Sequence, residues 1–135
     1  MKQISIFIEN EKGRLAAVTG LLAEGGVNLR ALSIADTTDY GILRIVTDRV
    51  DEAMDLLQGA AYLAKVTDVL AVRIEDKPGS LAAILATMSR AGISVEYAYA
   101  FTDVRPDEAW MVFRVDDNAK AVAILAAAGV DVLSD

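Results

Sequence analysis

Cysteine and histidine are both absent from the 135 residues of this chain. The lack of cysteine excludes a disulfide scaffold, a thiol nucleophile and a cysteine-ligated metal centre. The lack of histidine removes the commonest general base and the Ser-His-Asp triad. Carboxylates and tyrosines can still perform acid–base chemistry, so a small hydrolase or isomerase ranks as the weakest hypothesis. We therefore predict a protein that is not an enzyme and that uses no metal or cofactor.

Positive charge and long apolar runs are also scarce. The chain has 13 Lys and Arg against 20 Asp and Glu, a net charge of −7. Both halves are net negative, with 7 basic and 10 acidic residues in 1–68 and 6 and 10 in 69–135. Nucleic-acid binding relies on clustered Lys and Arg, so no nucleic-acid partner is expected. No apolar run reaches the ~18 residues of a membrane helix, and no signal-peptide segment opens the chain. These features predict a cytoplasmic protein without membrane association.

The chain contains an internal repeat. A shift of 66 positions superposes 6–36 on 72–102 without a gap, and the shift becomes 68 beyond the second strand. This alignment superposes the two turn glycines of the first copy on the two of the second copy. It predicts two modules, 1–68 and 69–135. The identical pairs are Ile8/Ile74, Glu9/Glu75, Gly13/Gly79, Leu15/Leu81, Ala16/Ala82, Ala17/Ala83 and Gly26/Gly92.

Each copy follows the same pattern of secondary structure. Alternating apolar residues in 3–9 predict a half-buried strand, and 70–74 repeat the pattern. Apolar residues at helical spacing then run to a terminating glycine. The remaining predicted elements are second strands 27–36 and 93–102, third strands 42–47 and 110–115, second helices 51–59 and 118–128, and fourth strands 63–69 and 130–133. The order βαββαβ predicts an α+β fold of two tandem ferredoxin-like modules, each an antiparallel sheet with both helices on one face.

The loop between the first strand and the first helix suits a zwitterion. A helix N-terminus leaves about four backbone N–H groups without intrahelical partners and carries partial positive charge, which favours a carboxylate. Gly13 and Gly79 allow close approach to the backbone. Asn10 and Asp76 offer acceptors for an ammonium group. The same two residues could instead serve only as turn or cap residues, as they commonly do.

The motif Asn10-x-x-Gly13-x-Leu15 after a strand, with Gly-Val-Asn28-Leu29 opening the next strand, resembles the ACT domain. This domain is a small-ligand regulatory module attached to many enzymes of amino-acid metabolism. The resemblance covers the whole chain as two copies and is closest to the serine-binding regulatory domain of phosphoglycerate dehydrogenase. It implies that Asn10 and Asn28 bind polar groups of the ligand, while Gly13 and Leu15 shape the loop. It also implies modules joined side by side, with ligand sites where this loop meets the neighbouring module.

In the second copy, Asp76 and Ser94 stand in place of the two asparagines, so the two sites are expected to differ. The resemblance implies a regulatory protein that senses a free amino acid, or a similar small zwitterion, at the interface of its two modules. The alternative is a ligand-independent interaction subunit of an enzyme of amino-acid metabolism. The candidate ligand-binding residues are Asn10, Glu11, Lys12, Gly13, Arg14, Leu15, Asn28 and Leu29 in the first copy, and Asp76, Lys77, Pro78, Gly79, Ser80, Leu81, Ser94 and Val95 in the second.

Aromatic residues concentrate on one predicted strand of the second copy. Tyr97, Tyr99 and Phe101 alternate, so they share one face, and Trp110 is expected nearby on the next strand. A wholly exposed aromatic stripe would be unusual, which favours a buried interface between sheets or subunits over a ligand pocket. Because symmetric dimers are the commonest oligomers, a homodimer is expected, with a metabolic enzyme as a possible further partner.

Overall fold

The structure, a computed structural model, describes residues 1–9, 11–36, 39–102 and 106–134. The chain divides into two compact units: Lys2–Thr67 forms one, and Met1 with the chain from Asp68 onward forms the other. The domain boundaries 1–68 and 69–135 stay a prediction. Within the described part of the chain, no helix has the length and apolarity needed to cross a membrane.

The first copy of the repeat forms a four-stranded sheet and two helices. Its sheet has the order β2-β3-β1-β4, and both β1 and β2 run antiparallel to β3. The predicted ferredoxin-like order is confirmed. In chain order the elements are β1 (Lys2–Glu9), α1 (Arg14–Glu24), β2 (Ala31–Asp36), β3 (Tyr40–Val46), α2 (Val50–Gly59) and β4 (Leu63–Asp68).

The second copy repeats this topology. Its sheet has the order β6-β7-β5-β8, with β5 and β6 antiparallel to β7 and β8 antiparallel to β5. The predicted α+β fold of two tandem modules is therefore confirmed. The elements are β5 (Leu70–Glu75), α3 (Ser80–Arg90), β6 (Val95–Ala100), β7 (Glu108–Val115), α4 (Asn118–Ala127) and β8 (Val132–Leu133).

Each sheet buries one apolar face under its two helices. In the first unit, Ile4 and Ile6 of β1 lie opposite Ile45 and Leu43 of β3, and all four are fully buried. Burial of each such side chain contributes roughly 1.5–3 kcal/mol. The helix residues that complete this core are Val18, Leu22, Ala53 and Leu57. The corresponding core of the second unit contains Leu70, Val72, Ile74, Ile84, Met88, Ile93, Phe113, Val115, Ala121 and Leu125.

The start of the second strand was predicted too early in both copies. After α1, Gly26 adopts φ +73°, and its N–H donates to the Ala23 carbonyl at 3.0 Å. The next N–H, that of Val27, donates to the Leu22 carbonyl at 3.0 Å, which closes the helix in a Schellman motif. Val27 is thereby folded back under the helix as a core residue, and β2 begins only at Ala31.

The second copy shows the same displacement at two places. Ile93 donates its N–H to the Met88 carbonyl at 3.0 Å, and β6 begins at Val95 rather than at 93. Val130 donates its N–H to the Leu125 carbonyl at 3.0 Å, and β8 contains only Val132–Leu133 rather than 130–133. An apolar residue that follows a helix-terminating turn therefore packs under the helix before the strand starts.

The predicted aromatic stripe lies on the sheet face opposite the helices. Tyr97 pairs with Arg114 and Tyr99 with Val112, while the N–H of Phe101 donates to the Trp110 carbonyl at 2.9 Å. The rings of Tyr97 and Tyr99 stack with their centroids 6.4 Å apart. Tyr99 is only 9% exposed, so the stripe is not an open aromatic surface.

A buried polar pair distinguishes the first copy from the second. Gln3 and Ser5 are both buried, and Gln3 Nε2 donates to Ser5 Oγ at 3.0 Å. The residues 66 positions later are Val69 and Ala71, both fully buried and apolar. The same structural positions thus accept either a hydrogen-bonded pair or two apolar side chains.

We expect Ser5→Ala alone to lower the free energy of unfolding by about 1–3 kcal/mol, because it removes an acceptor from a buried amide. Gln3→Met combined with Ser5→Ala removes both partners of this hydrogen bond, so its loss should be smaller than the sum of the two single losses. Urea unfolding of the single and double variants measures the coupling. A double variant whose loss equals the sum of the single losses would show that the two side chains act independently.

Candidate functional site

Each first β–α loop ends at a glycine with a left-handed backbone. Gly13 caps α1 with φ +81°, and Gly79 caps α3 with φ +89°. A Cβ built on either glycine meets no atom within 4 Å. The backbone conformation, not a close neighbour, therefore requires glycine, and the space beside each helix start is open.

Two glycines of the first copy should respond in opposite directions to the same substitution. Gly13→Ala is expected to lower the free energy of unfolding by about 1–2 kcal/mol, because a Cβ disfavours the left-handed conformation. Gly20 lies inside α1, and a Cβ there also meets nothing within 4 Å. Gly20→Ala should raise stability by roughly 0.5–1 kcal/mol. Thermal or urea unfolding tests both, and changes of the same sign would contradict this account of Gly13.

The described residues supply no neutralising group at the starts of the helices that follow the two loops. Among them, neither α1 nor α3 has a side-chain cap or an acidic residue in its first turn. By contrast, α2 has Asp51 and Glu52 in its first turn, and the Asp117 carboxylate accepts from the Lys120 N–H at 3.0 Å at the start of α4. The positive ends of α1 and α3 are thus the ones left available to an external anion.

A cavity of about 480 Å³ lies beside the second loop. This volume falls in the lower part of the range of small-molecule sites, roughly 300–1,000 Å³. Ser80 is among its lining residues, and the buried Ser80 Oγ has no hydrogen-bond partner among the described residues. The lining residues are Arg73, Ile74, Glu75, Lys77, Pro78, Gly79, Ser80, Ala83, Ile84, Gly129, Val130 and Asp131.

The charges around this cavity are balanced and paired. Lys77 Nζ lies 2.8 Å from Glu75, and this hydrogen bond lowers the pKa of the Glu75 carboxyl and raises the pKa of Lys77. Arg73 bonds Asp131 at 3.0 Å and also bonds Glu108, and these contacts raise the pKa of its guanidinium. Two cations and two anions on the lining suit a ligand that carries both signs of charge.

A second cavity, of about 300 Å³, lies beside the first loop. Arg14 Nη2 lies 2.9 Å from Glu9 and 3.3 Å from Glu11, and the field of Glu9 raises the pKa of Arg14. With Asp36, the lining has three carboxylates against one guanidinium, which favours an ammonium group. The lining residues are Ile8, Glu9, Glu11, Arg14, Leu15, Ile34, Asp36 and Gly41.

Some of the predicted ligand-binding residues line one of the two cavities. The stretch Lys77–Ser80 lines the larger cavity, and Glu11, Arg14 and Leu15 line the smaller one. Asn10 lies outside the described residues. The predicted residues Lys12, Gly13, Asp76 and Leu81 belong to the loops or helix starts but line neither cavity.

The predicted site residues near the second strands lie apart from both cavities. Asn28 is exposed and precedes β2, while Leu29 packs against the first core. The N–H of Ser94 donates to the Asp116 carboxylate at 2.9 Å, and Val95 packs against the second core. None of these four lines either cavity, so their expected role rests on the resemblance alone.

Sequence reasoning missed several lining residues. In the second unit these are Arg73 and the turn Gly129–Asp131, and in the first they are Ile34, Asp36 and Gly41. The turn reaches the loop only because β8 pairs with β5 beside α3. The two cavities also lie on different sides of equivalent loops, one beside β2 and β3 and the other beside the α4–β8 turn. The spacing of residues along the sequence does not indicate on which side of a loop a cavity forms.

The fold and the paired loops define a class, namely proteins built from two tandem ferredoxin-like modules. The family model of the ACT domain pair matches residues 1–135, so the chain belongs to that family. The crystal structure of protein BT0572 from Bacteroides thetaiotaomicron is 37% identical, with a TM-score of 0.91 over 98% of this chain and 91% of that chain. The regulatory subunit of aspartate kinase from Thermus thermophilus shares the fold, with a TM-score of 0.72, 18% identity and coverage of 95% and 89%.

Curated relatives match about half of the chain. The acetolactate synthase small subunit of Buchnera aphidicola is 36% identical over 75 residues, which are 55% of this chain and 47% of that protein. The acetolactate synthase isozyme 3 small subunit of Escherichia coli is 36% identical over 69 residues, 51% of this chain and 42% of that protein. The chain thus spans less than half the length of these two relatives.

Proposed function

We propose that this ACT-domain regulatory protein binds a free amino acid at the first β–α loop of its modules. The observation that carries the proposal is that no described residue caps the start of α1 or α3. Each of these starts lies beside an open cavity, whereas the starts of α2 and α4 carry carboxylates. A bound ligand would supply the missing anion at these two positions.

In the second module, the ligand carboxylate accepts from the backbone N–H groups of Leu81 and Ala82, which follow the lining residue Ser80 at the start of α3. Among the described residues, neither N–H group has a hydrogen-bond partner, and Ser80 Oγ has none either. The ammonium group of the ligand lies against Glu75 or Asp131. An aliphatic side chain then fits the apolar part of the lining, which is Ile74, Pro78, Ala83, Ile84 and Val130.

The first module offers the same donors in a more acidic setting. The N–H groups of Leu15 and Ala16 have no hydrogen-bond partner among the described residues, and the surrounding carboxylates receive the ammonium group. The smaller volume and the excess of negative charge favour a smaller or more basic amino acid here. The two modules therefore bind with different affinities.

Isothermal titration with each of the common amino acids tests the proposal. At least one should bind the intact protein, and failure of all of them at millimolar concentration would overturn it. Asn10→Ala should weaken binding to the first module by about tenfold or more, since a hydrogen bond to a charged group is worth about 1.5–3 kcal/mol. Its melting temperature should stay near that of the unmodified protein, whereas equal losses of stability and affinity would indicate a structural role.

The proposal extends to a partner. Two curated relatives are named as small subunits of acetolactate synthase, so we propose that this protein regulates a separate enzyme of amino-acid metabolism. A ligand that binds one assembly state better than another shifts the protein toward that state, typically by ~1–3 kcal/mol. Co-purification of the enzyme that changes when the amino acid is added supports this regulation. A complex that ignores every amino acid would instead favour a ligand-independent interaction subunit.

A further inference from the structure

The two copies differ at the turn between their second helix and their last strand. In the second copy this turn contains Gly129 and Val130, and it borders the larger cavity. In the first copy the equivalent residues, 68 positions earlier, are Ala61 and Tyr62. The cavity described beside the first loop is not lined by this turn and opens toward β2 and β3 instead. A valine therefore stands beside the larger cavity at a position where the other copy has a tyrosine.

The backbone of this turn is the same in both copies. Ala61 and Gly129 both have a left-handed conformation, with φ +64° and +79°. The N–H of Tyr62 donates to the carbonyl five residues earlier at 2.9 Å, and the N–H of Val130 does so at 3.0 Å. Both side chains are half-buried, and each packs against the core of its own module. Because the backbone conformation sets the direction of a side chain, the tyrosine and the valine start toward equivalent places.

The size of this side chain accounts for the space beside the second loop. The phenol ring of Tyr62 extends farther from the backbone than the two methyl groups of Val130. Protein interiors are close-packed, so a smaller side chain on an unchanged backbone leaves space unfilled. The cavity of about 480 Å³ lies where the shorter side chain stands. A tyrosine at position 130 would extend into this cavity.

The charges at the rim of the cavity change in the same comparison. In the second module, the guanidinium of Arg73 bonds Glu108, and it bonds Asp131 at 3.0 Å. The equivalent residues of the first module carry no charge, and they are Phe7, Tyr40 and Leu63. The two aromatic rings among them meet edge to face, with their centroids 6.3 Å apart. The second module thus combines open space and charged groups at a place where the first has apolar side chains.

We propose that residue 130 and its equivalent, Tyr62, determine on which side of the loop each module can hold the side chain of an amino acid. Val130 leaves room in the second module for a large aliphatic side chain. Tyr62 fills the equivalent room in the first module, which restricts its ligand to the side of β2 and β3. The choice of ligand rests on the proposed function, whereas the open space beside Val130 is a property of the second module by itself.

Val130→Tyr gives the second module the residue of the first. Because the ring enters open space, the melting temperature should change by no more than about 3 °C. Val132→Tyr is the matched control, since Val132 is also half-buried against the second core but lines neither cavity. Overpacking of a filled core is destabilising, so this control should lower the melting temperature by about 5 °C or more. Thermal unfolding followed by circular dichroism measures both changes.

Titration calorimetry with glycine, L-alanine, L-valine and L-leucine measures the room for the ligand side chain. The unmodified protein should bind L-leucine more tightly than glycine, because the apolar lining receives the leucine side chain. Val130→Tyr should weaken the binding of L-leucine by about tenfold or more and change that of glycine less than about twofold, since only a ligand side chain meets the new ring. Val132→Tyr should leave both affinities unchanged.

Tyr62→Val makes the reciprocal change in the first module. Removal of the ring leaves a void against the first core, so the melting temperature should fall by about 5 °C or more. The amino-acid affinity of the first module should not fall, because its cavity lies on the other side of the loop. A loss of that affinity would mean that the ligand contacts Tyr62, and it would overturn the proposal.

The failure of this proposal and the failure of the proposed function give different results. Equal losses of melting temperature in Val130→Tyr and Val132→Tyr would show that no open space borders residue 130, whether or not an amino acid binds. Unchanged L-leucine affinity in Val130→Tyr, or an equal loss for glycine and L-leucine, would show that residue 130 does not contact the ligand side chain. Failure of the unmodified protein to bind any amino acid would overturn the proposed function and, with it, the role of residue 130 in ligand choice. The two melting temperatures would still decide whether the space is open.

Discussion

Replacing Ala82 by glutamate is expected to stabilise the protein and at the same time weaken amino-acid binding about tenfold or more. Ala82 is the third residue of α3 and is exposed. A glutamate at that position of a helix reaches back to the amide of the cap residue, here Gly79. Its charge at the helix start should raise the free energy of unfolding by about 0.3–1 kcal/mol. The glutamate carboxylate also repels the ligand carboxylate at the positive end of α3, so the affinity for the amino acid falls.

A gain in stability together with a loss of affinity would show that the start of α3 serves binding and not stability. Ala16→Glu makes the same change at α1, so the pair of variants shows which module holds the ligand. Ala123→Glu adds one negative charge to an exposed position in the middle of α4 and serves as the control for charge alone. Titration calorimetry and thermal unfolding give both quantities. Unchanged affinity in both Ala82→Glu and Ala16→Glu would contradict the proposed carboxylate sites.

Phe113→Ala should cause the largest loss of stability among these substitutions. Phe113 is the largest of the fully buried side chains in the described residues, and on β7 it lies between Leu70 of β5 and Ala98 of β6. Removing a buried phenylalanine side chain costs about 3–5 kcal/mol, because both the transfer free energy and a cavity oppose the native state. That is a large part of the total of about 5–15 kcal/mol typical of a domain.

The single tryptophan makes this loss measurable in the unit where it occurs. Trp110 lies three residues before Phe113 on the same strand, so its fluorescence follows unfolding of the second sheet. Urea titration should show a lower midpoint with an unchanged slope. Phe113→Leu should lose less, because it leaves a smaller cavity. A loss below about 1 kcal/mol for Phe113→Ala would indicate that the core relaxes around the missing ring.

The sequence was sufficient to predict the architecture because the repeat made each local signal appear twice. Alternation in β1 and helical spacing in α1 are both local patterns, and their recurrence after 66 residues fixed the order βαββαβ. The positions of Gly13 and Gly79 followed from the sequence, but their role did not. Close approach to the backbone was expected there, whereas the positive φ of both residues is what requires glycine.

The strand starts and the cavity linings could not be predicted in the same way. Val27 and Ile93 are apolar and fit a strand pattern, but a Schellman turn folds each of them under the preceding helix. The pattern of apolar residues does not distinguish a buried side chain in a strand from one that packs under the preceding helix. Arg73 and Asp131 meet across 58 positions of the chain, and only the pairing of β8 with β5 brings them together.

The different placement of the two cavities has a consequence for the duplicated module. Beyond the shared loop, one lining is completed by β2 and β3 and the other by the α4–β8 turn. A substitution on β2 therefore alters one lining and has no counterpart in the other. Each copy can thus change its ligand preference without altering that of its twin.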